Sequence, residues 1–180
     1  MKTKTNIRWL VKVVLISVVV TMVFTLASSE ILGRVGYIVA FAILAVFIII
    51  GILFDIVGIA VTAATEAPFH SMAAHRERGA ADSLRLIKNA DKVSSFCNDV
   101  VGDVAGIISG ATAALIAARL MDGFNTDNLL FPLLISGAVT GLTVGGKAAG
   151  KAFAFNNSTK IVLRVGKLIN LLRPRRNSVK

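Results

Sequence analysis

Four long apolar runs alternate with basic segments along this chain. Residues Leu10 to Ala27 are apolar apart from Lys12 and small hydroxyl side chains. No charge occurs from Val35 to Phe54, and that second run continues past Asp55 to Thr65. A third covers Val93 to Ala118 and carries Asp99 and Asp103; a fourth extends from Leu129 to about Gly146. A bilayer core of about 30 Å needs roughly 20 apolar residues in a helix. The pattern therefore predicts four transmembrane helices, the second run being too long for one straight span. Lys12 sits where its stem can snorkel to the interface. The first run also has the layout of a signal peptide, with Ala27-Ser28-Ser29 as a cleavage site. It exceeds the usual apolar region of about 7–15 residues, so it reads as an uncleaved helix over 9–28.

The segments between the runs have their own periodicity. From Pro68 to Lys92 the chain is polar, with Ala80, Leu84 and Ile87 at helical spacing among Arg76, Arg78, Arg85 and Lys88. This predicts a juxtamembrane helical elbow, with Gly79 separating two short helices. From Thr159 to Leu172, Lys160, Arg164 and Lys167 share one helical face, and Ile161, Leu168 and Leu172 the other. That is the pattern of an amphipathic helix on anionic membrane lipid. Pro174 stops it within a basic tail, 173–180. The expected fold class is an all-α membrane protein: four transmembrane helices, an elbow and a C-terminal amphipathic helix, in one membrane domain over 1–180.

Composition narrows the class further. The 180 residues are 55% hydrophobic and 17% charged, against about 45–50% and 25% in soluble domains. Mean hydropathy is +0.76. The net charge of +10 would suggest nucleic acid on a soluble chain. Here Lys2, Lys4, Arg8 and Lys12 precede or open the first run. Arg76, Arg78, Arg85, Lys88 and Lys92 lie between the second and third, and nine more cations follow the fourth. Only Arg34 and Arg119 fall on the other side. Such a bias places both termini and the middle segment in the cytoplasm, in a multi-pass protein of the cell membrane. It accounts for the charge without nucleic acid. Cys97 stands alone, which excludes an intramolecular disulfide, and His70 and His75 leave little for zinc. No strand precedes a glycine-rich phosphate loop. Asp99 and Asp103 share one helix, whereas a paired-aspartate protease joins two. No enzyme is expected.

Two sets of residues stand out. Gly102, Gly106, Gly110, Ala114 and Ala118 recur every four residues in the third run, and Gly137, Gly141, Gly145 and Ala149 do so in the fourth. Such faces let membrane helices approach closely, so these two helices are expected to meet through them. The second set is the ionisable residues in or near the spans, which are functional candidates because each is costly in lipid. They are Asp55, Glu66, Asp99, Asp103 and Lys147. Asp99 and Asp103, four apart, are placed to share a hard cation through oxygen ligands. In the alternative, Asp99 lies in the interface and Asp103 pairs with a lysine.

From Gly58 to Leu172, within a unit of about 35–172, the chain resembles the transmembrane domain of the CNNM/CorC magnesium transporters. Ala63-Ala64-Thr65-Glu66-Ala67 stands where that family has S-A-S-E-T-A at a helix end. His75-Arg76-Glu77-Arg78-Gly79 and Lys88-Asn89-Ala90-Asp91-Lys92 match its basic elbow. Val100-Val101-Gly102-Asp103 lies at its G-N pair. Gly146-Lys147-Ala148-Ala149-Gly150-Lys151 and Phe153 to Lys160 follow its G-E-x-x-P-K and L-A-x-R-N-P-E-K. The resemblance implies a homodimeric ion-transport unit that carries Mg2+ among oxygens of the broken helix end and the next helix. By position, Thr65 and Asp103 are its metal ligands, with Glu66 beside them. Ala63 lacks the oxygen of the first serine, Lys147 replaces a glutamate and Gly150 a proline. Lys147 is then either a tethered cation that competes with magnesium near Asp103 or Glu66, or a lysine that snorkels to headgroups. The family's nucleotide-binding domains have no counterpart here, so no nucleotide is expected, and regulation would come from a separate subunit. The other functional reading is a non-transporting scaffold or partner subunit that keeps the fold.

Overall fold

The computed structural model describes residues 7–124 and 128–172. The first six residues, the region of Asn125 and the basic tail 173–180 lie outside them. All regular structure among the described residues is helical: α1 (Ile7–Arg34), α2 (Tyr37–Ala63), α3 (Glu66–Ala74), α4 (Ala80–Lys88), α5 (Ala90–Ser95), a π-helical segment (Phe96–Gly102), α6 (Asp103–Gly123), α7 (Leu130–Asn156) and α8 (Ser158–Leu172). Among the described residues three helices are long and apolar enough to cross a membrane: Tyr37–Ala63, the continuous rod Ala90–Gly123 formed by α5, the π segment and α6, and Leu130–Asn156. Within α1 the apolar stretch is shorter, Val11–Leu26. This helix lies along α6 and sets Phe24 edge-on to Phe47 of α2, ring centroids 5.9 Å apart.

α2 is the axis of the bundle, touching α5, the π segment, α6, α7 and α8. It stops at Ala63 for a local reason. Pro68 has no N–H to offer the Ala64 carbonyl, and its ring clashes with that carbonyl in a continuous helix. Ala64 and Thr65 are accordingly extended, and Pro68 falls in the first turn of α3, where a missing N–H is harmless. α2 carries two apolar clusters. One gathers Ala40 and Leu44 with Ala113, Ile116 and Val139; the other gathers Ala60 and Val61 with Phe69, Ala154 and Val162. Asp55 falls between them in sequence.

The elbow and α8 are fastened together. Gly79 separates α3 from α4 at φ +84, and a Cβ there would lie 2.6 Å from the backbone nitrogen of Lys167. Ser83 Oγ donates to the Val162 carbonyl at 3.1 Å. Lys167 pairs with Glu77 at 3.0 Å, and Asp82 accepts from Asn170 and Arg85. The face of α8 that is buried holds Val162 and Gly166. Leu168 and Leu172, expected on a face apart from the lysines, are as exposed as Lys160 and Arg164.

The glycine faces differ from expectation. A Cβ added at Gly106, Gly110, Gly137, Gly141 or Gly145 would meet nothing within 4 Å. α6 and α7 do touch, but not there, because both also turn toward α2. The buried rows of α6 are Val104, Ile108, Thr112 and Ile116, and beside them Ala105, Ser109, Ala113 and Ala117. The second of these is a small-residue row of the kind that permits close packing. Ala105 Cβ lies 3.2 Å from where a Cβ on Gly51 would sit.

Candidate functional site: a charged layer across α2, the π segment and α7

Close approach of α7 to α2 creates the site. Gly146 and Gly150, four residues apart, leave room for Ile52 and Ile56, also four apart: a Cβ on Gly146 would collide with Ile52 Cδ1, and one on Gly150 would lie 2.8 Å from Ile56 Cγ1. This contact carries Lys147 to the level of Asp55. Its Nζ lies 3.9 Å from Asp55 Oδ1 and 3.9 Å from Asp103 Oδ1. Gly102 closes a further side. A Cβ there would sit 3.5 Å from Asp55 Oδ1, 3.6 Å from Lys147 Nζ and 3.3 Å from the Cys97 carbonyl oxygen.

The three charges differ in exposure. The Asp55 side chain is 10% exposed, Lys147 23% and Asp103 68%. At 3.9 Å the ammonium is ion-paired with both carboxylates but exceeds ordinary hydrogen-bond length to either. The layer has a formal charge of −1.

Backbone irregularity coincides with this layer. The N–H of Asp103 bonds to the Asn98 carbonyl, five residues back, and π turns of this kind recur at functional positions in helices. Asn98 gives its amide N–H to Ser94 Oγ at 3.2 Å. Its Oδ1 is buried without a donor and occupies the space above Gly58, one turn of α2 beyond Asp55.

Of the residues singled out from sequence, the structure unites Asp103 and Lys147. Asp55, also among those candidates, joins them as the buried member. Asp99 is exposed and forms no ion pair among the described residues. Thr65 and Glu66 do not join. They lie at the α2–α3 break, about 15 Å along the chain axis from Asp55 at 1.5 Å per residue, and Glu66 pairs instead with His70 at 3.3 Å. The Thr65–Asp103 ligand pair is therefore not assembled, because Asp103 sits at the level of Asp55, turns away from the break. Among the described residues no three His, Cys, Asp or Glu side chains gather as a metal-ligand set. A signal for Asp55 existed in the sequence: a carboxylate after twenty uncharged residues requires a counter-charge, and Lys147 follows the fourth run directly.

Comparison with protein-family models, with curated proteins and with solved structures finds no match.

Proposed function

We propose that this protein is a cation-transport unit of the cell membrane, with α1 as a fourth span, both termini cytoplasmic and the Asp55–Lys147–Asp103 layer as its ion-handling site. The observation that carries the reading is the placement of Lys147 between a buried and an exposed carboxylate in helices long enough to span a bilayer. Ionisable groups are retained in such surroundings chiefly where ions or protons pass. The cargo that the sequence resemblance favours is magnesium, a hard cation that takes oxygen ligands. The two carboxylates beside Lys147 offer oxygen of that kind. The same resemblance favours a homodimer, with the open glycine faces of α6 and α7 available to a second copy.

A second reading, a non-transporting scaffold or partner subunit, draws support from Lys147 itself, since an ammonium already occupies the gap between the two carboxylates. Flux separates the two. Proteoliposomes loaded with a magnesium-sensitive dye should show uptake with the parent and loss of it with Asp55→Asn and Asp103→Asn. Parent flux equal to that of empty vesicles, in magnesium and in monovalent salts, would leave the scaffold. Reporters at Lys180 and near Asn125 should fall on opposite sides of the membrane.

A further inference from the structure

We infer that the inner edge of the hydrocarbon core lies at the Asp55–Lys147–Asp103 layer, and that α8, just beyond it, rests on anionic phospholipid headgroups through a stripe of Lys160, Arg164, Leu168, Leu171 and Leu172. The inference rests on the spanning topology proposed above, which makes this side the cytoplasmic one, and not on any ion carried by the layer.

The three charges of the layer sit on three helices at one level. At 1.5 Å per residue, Asp55 is about 27 Å from the start of α2 at Tyr37, and Lys147 about 26 Å from the start of α7 at Leu130. No charge intervenes on either helix. On α6 the next charge after Asp103 is Arg119, about 24 Å away. Three separate helices thus run uncharged for nearly the roughly 30 Å of a hydrocarbon core and reach their charges together. Exposure agrees with that boundary. Asp103 is 68% exposed, and Asp99, one turn beyond it, is exposed as well. Deeper in the bilayer both carboxylates would face acyl chains, where ionised groups are costly.

The same measure fixes the depth of α8. Ala60 and Val61, just past Asp55 on α2, pack with Val162 of α8, so α8 crosses α2 about 8 Å beyond the edge. Headgroups occupy about 5–8 Å on each side of the core, and a helix about 10 Å across at that depth lies among them. Val162 and Gly166 face the bundle. Lys160, Arg164, Leu168 and Leu172 recur every four residues on the side left open, with Leu171 beside them. Lys167 is tied to Glu77 instead. Leucines exposed together are unfavourable in water and favourable at an acyl boundary. Charge selects the lipid. No Asp or Glu follows Asp127, and Arg173, Arg175, Arg176 and Lys180 continue the sequence after Leu172. Anionic phospholipid satisfies both parts of the stripe, phosphates meeting the cations and acyl chains the leucines. A nucleic acid would satisfy only the cations.

The experiment uses the full chain in nanodiscs of phosphatidylcholine alone, or of equal parts phosphatidylcholine and phosphatidylglycerol. A single tryptophan is placed in a Trp9→Phe background at Leu171, at Leu142 or at Phe153. All three positions are exposed, so the replacements leave the packing intact. Leu142 and Phe153 lie on α7 on opposite sides of Lys147. Nitroxides high or low on the acyl chain and acrylamide in the water quench by contact. Leu171→Trp should lose most of its fluorescence to the high nitroxide and little to acrylamide. Leu142→Trp should lose most to the low nitroxide, and Phe153→Trp little to it. Lys160→Gln with Arg164→Gln should weaken the lipid contact of Leu171→Trp in the phosphatidylglycerol discs by about fivefold per cation removed. Acrylamide quenching of Leu171→Trp without nitroxide quenching overturns the docking of α8, and strong quenching of Phe153→Trp by the low nitroxide overturns the edge. Equal lipid quenching of Leu171→Trp in both kinds of disc, unchanged by the double substitution, overturns the role of anionic headgroups. In each of these cases lipid quenching at Leu142 leaves the spanning helices standing. Its absence strikes the spanning topology itself, and the inference with it.

Discussion

α6 and α7 carry the same sequence device, a small residue every fourth position, yet the bundle uses them oppositely. In the most apolar window of the rod that contains α6, 56% of residues are buried; in that of α7, 6% are. α6 lies between α1 and α2 and presents Ala105, Ser109, Ala113 and Ala117, a row offset from its glycines. α7 meets α2 twice, where Val139 joins Ala40 and Leu44 and further along through Gly146 and Gly150. Four-residue spacing thus shows that a face is small, while the neighbour decides whether the face is used. A glycine matters where another atom occupies the place of its Cβ. By that measure Gly58, Gly79, Gly146, Gly150 and Gly166 belong to one group, and Gly106, Gly110, Gly137, Gly141 and Gly145 to another.

Substitutions sharpen the contrast. The largest effect is expected at Gly79, where positive φ coincides with backbone on the far side of the gap. Gly79→Ala should cost about 3 kcal/mol, the sum of a left-handed conformation and overpacking that no side chain can relieve, read as a fall in thermal midpoint. A shift as small as that of Gly141→Ala would mean that α4 and α8 do not cross so closely. Next comes Lys147→Met, which leaves Asp55 buried without its partner. Breaking a fully buried pair costs about 3–5 kcal/mol. Lys147 and Asp103 are partly exposed, so about 2 kcal/mol is expected, and adding Asp55→Asn should recover most of it. No recovery in the double variant would show that the two side chains are not coupled. The smallest effect belongs to the open faces. Gly141→Ala should stabilise α7 by up to about 1 kcal/mol through reduced backbone freedom in the unfolded chain. Gly141→Leu should leave the single copy intact; loss of assembly without loss of stability would place a second copy over that face.

The elements were largely legible because their causes are local. Apolar runs marked the three helices long enough to span, Gly79 marked the division of the elbow, and the basic–apolar alternation after Ser158 marked α8. Pro68 ended α2 close to where the second run was judged too long for one span. The site was legible only in part. Asp103 and Lys147 were singled out as charges costly in lipid, but their meeting depends on Gly146 and Gly150 admitting Ile52 and Ile56. That is a contact between helices more than ninety residues apart, and no periodicity within one segment encodes it. Thr65 and Glu66 were carried into the site by likeness to a motif, not by geometry, and they lie at the far end of α2. The glycine rows misled for the complementary reason: the period of a helix reveals a face, and the identity of its neighbour is a property of the whole bundle.

The π segment bears on how this chain tolerates changes in length. Removing one residue from an α-helix rotates everything beyond it by about 100°, and within α6 that would turn both buried rows away from α1 and α2. Between Phe96 and Gly102 the helix already holds surplus, since its bonds reach back five residues instead of four. A deletion there would let the turn tighten to ordinary α-helix, with α5 and α6 keeping their phase. The lost residue would be felt only around Gly102 and Asp103, where the backbone borders Asp55 and Lys147. An edit that usually wrecks a helix would here spare the architecture and strike the charged layer alone, so the segment works as a seam between the phase of the bundle and the local geometry at Gly102 and Asp103.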